Sequence, residues 1–246
     1  MLPRTFLKYS ESPWVPLLKM WGLFTLLIIA IAYFELDFRT ADAVYTMEGG
    51  DWTLSDFWLT KYVLHDIGKR FSVSIGVVVL VAIVATFFVG AMKSLRRPLV
   101  YLFVSVALSA LIVSSIKNSI NVACPWDLVR YGGNIPYVGF FQEWPSKFPD
   151  IACFPAGHAS AGYAWIALYF FFDYLFVSSK WRRLGAGVAM SMGLLFGIDQ
   201  QVRGAHFLSH DLWTLMISFS VSRILAYLFF GLIKNQKVAV GDLVNS

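Results

Sequence analysis

The chain has 246 residues, 58% of them hydrophobic and only 14% charged, with a net charge of +5. Soluble domains carry about 25% charged residues, so the composition excludes an ordinary soluble enzyme. The positive excess collects in short loops, which accounts for it without nucleic acid as a partner.

In chain order, the apolar blocks predict six spans, at about 14–34, 71–92, 98–116, 156–177, 184–198 and 208–233. Residues 71–92 and 98–116 contain no Asp, Glu, Lys or Arg, and a bilayer core takes roughly 20 apolar helical residues. The fifth block is short. The first lacks a small-residue cleavage site and is expected to be a retained span. There is no internal repeat and no linker long enough to divide the chain. The expected architecture is all-α: one membrane-embedded domain over 1–246, a bundle of six transmembrane helices.

Lys and Arg set the orientation. Lys93, Arg96, Arg97, Lys180, Arg182 and Arg183 lie in short loops on one side, joined by Arg4, Lys8, Lys234 and Lys237 at the termini. The loops on the other side, 36–70 and 117–155, mix acids with bases. Both termini are therefore expected in the cytoplasm. Trp52, Trp58 and Tyr62 in the first outer loop are expected to anchor at the membrane interface.

Three of the four histidines, His158, His206 and His210, fall at the outer ends of spans, and His65 falls in the first outer loop. Polar chemistry thus collects at the non-cytoplasmic mouth, in "KNSINVACPWDLVRYGG", "FPAGHAS" and "QQVRGAHFLSHDLW". Each feature has a plain structural reading, such as Lys117 snorkelling from a helix end. Together, a lysine, an arginine and two or three histidines are what phosphate transfer requires. The two cysteines, Cys124 and Cys153, share the second outer loop and are candidates for a disulfide. His206 and His210 are four residues apart, as in a zinc helix, but no glutamate follows the first and no carboxylate cluster is present. Neither a metal nor another cofactor is expected.

The ordered motifs carry a resemblance. Six residues separate Lys117 from Cys124-Pro125, "PAGH" spans residues 155–158, and "RGAHFLSHD" spans 203–211. In this order they resemble the three motifs of the membrane-bound type 2 phosphatidic acid phosphatase family, related to vanadium haloperoxidases and bacterial acid phosphatases, over about 71–233. A bacterial lipid phosphatase branch looks similar, which would place the chain in the inner membrane with its site facing the periplasm. The chain departs from the family pattern at Cys124 and Gln200, where the family has arginines, and at Ala156, where it has serine.

The resemblance implies His206 as nucleophile forming a phosphohistidine, His158 as general acid, and Asp211 orienting His206. Lys117, Arg203 and Arg130 would hold phosphate oxygens, with Gly157 permitting close backbone approach. Ser160, one turn beyond Ala156, is a possible further contact. A second register takes His210 as nucleophile. The implied substrate is a lipid phosphate in the bilayer, with undecaprenyl pyrophosphate, phosphatidic acid, phosphatidylglycerol phosphate and lipid A all open. Transfer to another lipid would use the same site. A transporter is the reading from another class, with Asp173 and Arg223 as its only deep charges.

Overall fold

The computed structural model describes residues 14–231. Arg4, Lys8, Lys234 and Lys237, used above for orientation, lie outside the described residues, as does the end of the sixth predicted span. The described chain is all-helical, with two isolated bridges, Val122–Ala152 and Leu128–Ile135, and no named strand. Its helices are α1 (Trp14–Tyr33), α2 (Leu36–Met47), α3 (Leu59–Phe88) and α4 (Arg96–Lys117), then α5 (residues 160–175), α6 (Ser179–Val202) and α7 (Leu208–Gly231).

Four of them, α1, α3, the Gly90–Lys117 segment containing α4, and α7, are long and apolar enough to cross a membrane. The other two differ for opposite reasons. α5 begins only at Ser160 and includes a tight 3-10 turn at Ala164–Ile166. At 1.5 Å per residue it extends about 24 Å. α6 is longer than the apolar block 184–198, because Lys180, Arg182 and Arg183 form its first turn and Asp199 lies near its end.

The loops divide between two ends of the bundle. One end holds Lys93, Arg96 and Arg97 between α3 and α4, and the turn from α5 to α6. There Arg182 Nη1 donates to the buried Asp173 carboxylate at 2.7 Å, so one of the two deep charges sits in an ion pair. The other end gathers residues 34–58, 118–159 and 203–207, and is tied together by backbone bonds. Trp126 N–H donates to Gly204 O, and Val122 N–H to Ile151 O, each at 3.0 Å.

Two expectations change at this end. The segment 36–70 is not an open loop: α2 fills its first part, and α3 starts at Leu59, opening with a π-helical stretch through Ile67. His65 is therefore a helical residue. The charges that interrupt the apolar run are accommodated locally, as in the Lys61–Asp56 and His65–Asp66 contacts. Trp52 is also not an interfacial anchor. It is buried among Ala41, Tyr131 and Phe207, with Tyr45 beside it. Its ring lies against Gly204, where a Cβ would sit 2.4 Å from it and where φ is +71°. Only glycine takes that turn at no steric cost.

Between membrane helices the apolar effect supplies little, so association rests on close packing and hydrogen bonds. α5 and α6 meet where a Cβ on Gly162 would fall 2.3 Å from the Gly193 backbone. α4 and α7 meet along fully buried Ser105, Ser109, Ser218 and Ser222, and the buried Tyr101 hydroxyl donates to Ser222 O at 3.0 Å. The apolar core runs through Val79, Leu102, Trp165, Phe170, Ala189 and Phe230 from five helices. This framework fixes the ends of α3 to α7 relative to one another, and the polar residues at those ends follow.

Candidate active site

His206 lies in the segment just before α7, ahead of Phe207, whose extended backbone (φ −82°, ψ 159°) leads into the helix at Leu208. It is 5% exposed. Its Nδ1 is 3.4 Å from Nδ1 of His210 and 3.6 Å from Sγ of Cys153. Burial holds its pKa well below the usual imidazole value, and the charges of His210 and Lys117 push the same way. A neutral imidazole results. In the tautomer that donates Nδ1–H toward His210, Nε2 keeps its lone pair.

Asp211 does not contact His206. It accepts from Gln201 Nε2, and its carboxylate packs against Gly197 of α6. The side chain 3.4 Å from Nδ1 of His206 is instead that of His210. His210 lies in the first turn of α7, against the segment that carries His206, and Asp211, one residue on, is turned toward α6.

Lys117 ends α4. Its Nζ occupies the space beside Gly157, 3.5 Å from where a Cβ would be, and its charge acts on both His206 and His210. Gly157 opens a tight turn in which Ser160 Oγ donates to Gly157 O at 2.6 Å. That hydroxyl is committed to the backbone. Ala156 is fully buried, with its carbonyl accepting from Thr214 and its N–H donating to His210 O, so the turn is held against α7.

His158 follows in the same turn. Its ring stacks on His65 at 4.4 Å and packs against Phe196. Its Nε2 is 3.2 Å from Leu64 O, which as acceptor leaves Nδ1 as the working nitrogen. Burial, then the charge of His65, lowers its pKa to about 4. His65 was the histidine without an assignment in the sequence. The mixed charges around it read as loop, and only the helix from Leu59 brings it to His158.

Arg203 ends α6 and is 8% exposed. Its Nε donates to Ser55 O at 3.2 Å, and its charge acts on His158. Among the described residues, no carboxylate pairs with Arg203 or with Lys117. Arg203 is buried and Lys117 half-buried, and the charge of Arg203 reaches Asp199, Asp56 and Asp66 without forming an ion pair. Arg130 is elsewhere. Its guanidinium grips Asp42 through Nε at 2.8 Å and Nη2 at 2.5 Å, with the side chain 54% exposed. The structure thus gives no support for Arg130 as a phosphate ligand. Gln200, at the second missing arginine, donates to Asp199.

Cys124 and Cys153 form a disulfide. It links the segment after Lys117 to the segment before His158. Cys153, His206 and His210 bring three potential ligand atoms within 4.8 Å, but a disulfide sulfur offers no thiolate. Only the two imidazoles remain as metal donors in that group. Thiol labelling of the denatured, unreduced protein is expected to find no free cysteine. Cys153→Ser should lower unfolding stability by about 3–4 kcal/mol through the freed loop, read by denaturant titration before and after reduction.

A family model described as the PAP2 superfamily matches residues 98–234, more than half of the chain. No curated protein and no solved structure matches the chain.

Proposed function

The chain belongs to the PAP2 superfamily of phosphatases, and from that premise we propose that it hydrolyses the phosphate ester or pyrophosphate of a membrane lipid through a phosphohistidine on His206. The observation that carries this reading is a buried histidine pair flanked by two cations, Lys117 and Arg203, that form no ion pair among the described residues. Such a site lacks only an anion with several oxygens.

In the proposed reaction, Nε2 of His206 attacks phosphorus. The bond from phosphorus to the lipid oxygen breaks, and that oxygen leaves with its electron pair and takes the proton of His158. Water then attacks the phosphohistidine, giving its proton to His158, and the phosphorus–nitrogen bond breaks to release inorganic phosphate. Lys117 and Arg203 hold the equatorial oxygens, where the transition-state charge lies. His206 is taken as the nucleophile over His210 because it carries the glycine-x-histidine of the resemblance, in "GAHF". No step requires a metal ion.

In this reading α5 and α6 also cross the membrane, giving six spans, and the basic end faces a bacterial cytoplasm with the site on the periplasmic side. The ion pair of Asp173 with Arg182 weighs against a transporter, since it occupies one of the two deep charges. Transfer of the phosphoryl group to a second lipid uses the same phosphohistidine.

Purified protein in mixed micelles should release phosphate from a long-chain lipid phosphate, with inhibition by vanadate. No release from folded protein would overturn the reading. Phosphate appearing on an added lipid acceptor would identify the transferase variant. Arg203→Ala should slow turnover about a hundredfold, as for loss of one preorganised donor. Arg203→Lys should recover only part, since a lysine lacks the planar fork. Arg130→Ala should stay near wild type, because its side chain serves Asp42. Steady-state kinetics of the three variants on one lipid phosphate distinguish these outcomes.

A further inference from the structure

Beside His210 lies a cavity of about 390 Å³ that belongs partly to segments outside the family match. One wall is the end of α1, at Ile28, Ile31 and Ala32, continued by Phe38 of α2. The opposite wall is the loop at Tyr137, Phe140 and Phe141. Its inner end is formed by Phe154, His210 and Trp213. The rings make a continuous surface: Phe140 meets Phe154 at 5.1 Å, and Phe154 meets His210 at 5.3 Å and Trp213 at 5.8 Å. Asp37 at the rim accepts from both the N–H and the hydroxyl of Ser209, at 2.8 and 2.6 Å, so it fastens α2 to the start of α7.

Resting on the lipid phosphatase reading above, we infer that this cavity seats the hydrocarbon chain of the lipid phosphate substrate, and that α1 and α2 are its chain-selecting wall. Three observations point to this occupant. The cavity is lined by His210, which lies 3.4 Å from Nδ1 of His206, so a chain here ends one side chain from the nucleophile and its headgroup passes His210 to reach Nε2. Its α1 wall is part of an apolar helix long enough to cross a membrane, with Leu26 and Ile29 exposed on other faces, so the cavity opens at bilayer depth. At its mouth Phe141 is 98% exposed, an aromatic ring suited to a membrane boundary and ill suited to water.

A chain moving from bilayer to cavity exchanges one apolar environment for another, so little affinity comes from the transfer itself. The cavity contributes orientation, tethering the chain so that its headgroup extends past His210 toward Nε2 of His206. Its volume falls in the range of ligand pockets, about 300–1,000 Å³. A soluble phosphate ester would leave it unfilled.

The test uses Ala32→Trp, which places a ring in the cavity from an exposed position outside the catalytic groups, with Val78→Trp on α3 as a control for an added surface tryptophan. Ala32→Trp should lower kcat/KM on a long-chain lipid phosphate at least tenfold, and leave hydrolysis of p-nitrophenyl phosphate as in wild type. In parallel, a lipid phosphate with a diazirine at mid-chain should cross-link within residues 28–38 and 137–141. Unlabelled lipid phosphate should displace it and phosphatidylcholine should not. Unchanged long-chain kinetics in Ala32→Trp, or cross-links spread evenly over the outer faces of the helices, would overturn the inference while leaving the activity standing. Specific cross-links without hydrolysis of either ester would retain the chain site and remove the phosphatase reading.

Discussion

His206→Ala is expected to abolish phosphate release, by about a millionfold where the assay permits, with insertion and folding unchanged. The magnitude follows from removing a nucleophile, whose loss is not made up by the rest of a site. Water would have to attack directly, and Lys117 and Arg203 would then only bind the phosphate. His210→Ala should cost less, on the order of 10⁴ or below, because an orienting group fixes the tautomer without bonding to phosphorus. Wild type quenched in alkaline detergent should carry phosphate on a histidine that acid releases, and peptide mapping at alkaline pH should place it at residue 206. Full turnover in His206→Ala together with a dead His210→Ala would select the other register. On His206, Nδ1 faces His210 at 3.4 Å and Cys153 closes the same side at 3.6 Å. Only Nε2 is left to reach a substrate.

His158→Ala should lower kcat by 10²–10⁴, the usual contribution of a positioned general acid. The loss should be greater for a lipid alkoxide than for p-nitrophenolate, which leaves without a proton. The pH dependence carries a sign. A general acid acts in its protonated form, and burial holds the pKa of His158 at about 4 in the empty site. Its protonated fraction therefore falls tenfold per pH unit above about 4, and kcat/KM should decline as pH rises through the neutral range. A bound phosphate dianion favours the imidazolium, so kcat should persist to higher pH than kcat/KM. Phosphate monoesters themselves ionise near pH 6. The ratio of wild type to His158→Ala on one substrate removes that contribution. A ratio independent of pH would take the role of acid away from His158.

The membrane character of the chain was legible because it depends on local composition. Uninterrupted runs at 71–92 and 98–116 can satisfy their backbone groups in a bilayer only as helices, and helices are what the structure has there. The family was legible from three short motifs in order, and the family match bears it out over residues 98–234. That match begins well after residue 71, so α3 lies outside it. Lys117, His158 and His206 were nameable because each combines a reactive side chain with the end of an apolar run.

What the sequence could not determine was which neighbour each polar side chain would meet. The register of α7 turns Asp211 toward Gln201 and leaves His210 facing His206. Arg130 is satisfied by Asp42, 88 positions away, on a helix where the sequence suggested a loop. Arg130 lies three positions from Asp127 and Arg203 four from Asp199, yet neither forms an ion pair with that neighbour. These outcomes rest on directional contacts between segments remote in the chain. A pattern of residue types records which groups could bond, and only packing brings particular donors and acceptors to within about 3 Å of each other. The sequence by itself therefore determined the helices and the chemistry at their ends. The tertiary structure decided the pairing, because a hydrogen bond or ion pair is set by angle and distance and not by order along the chain.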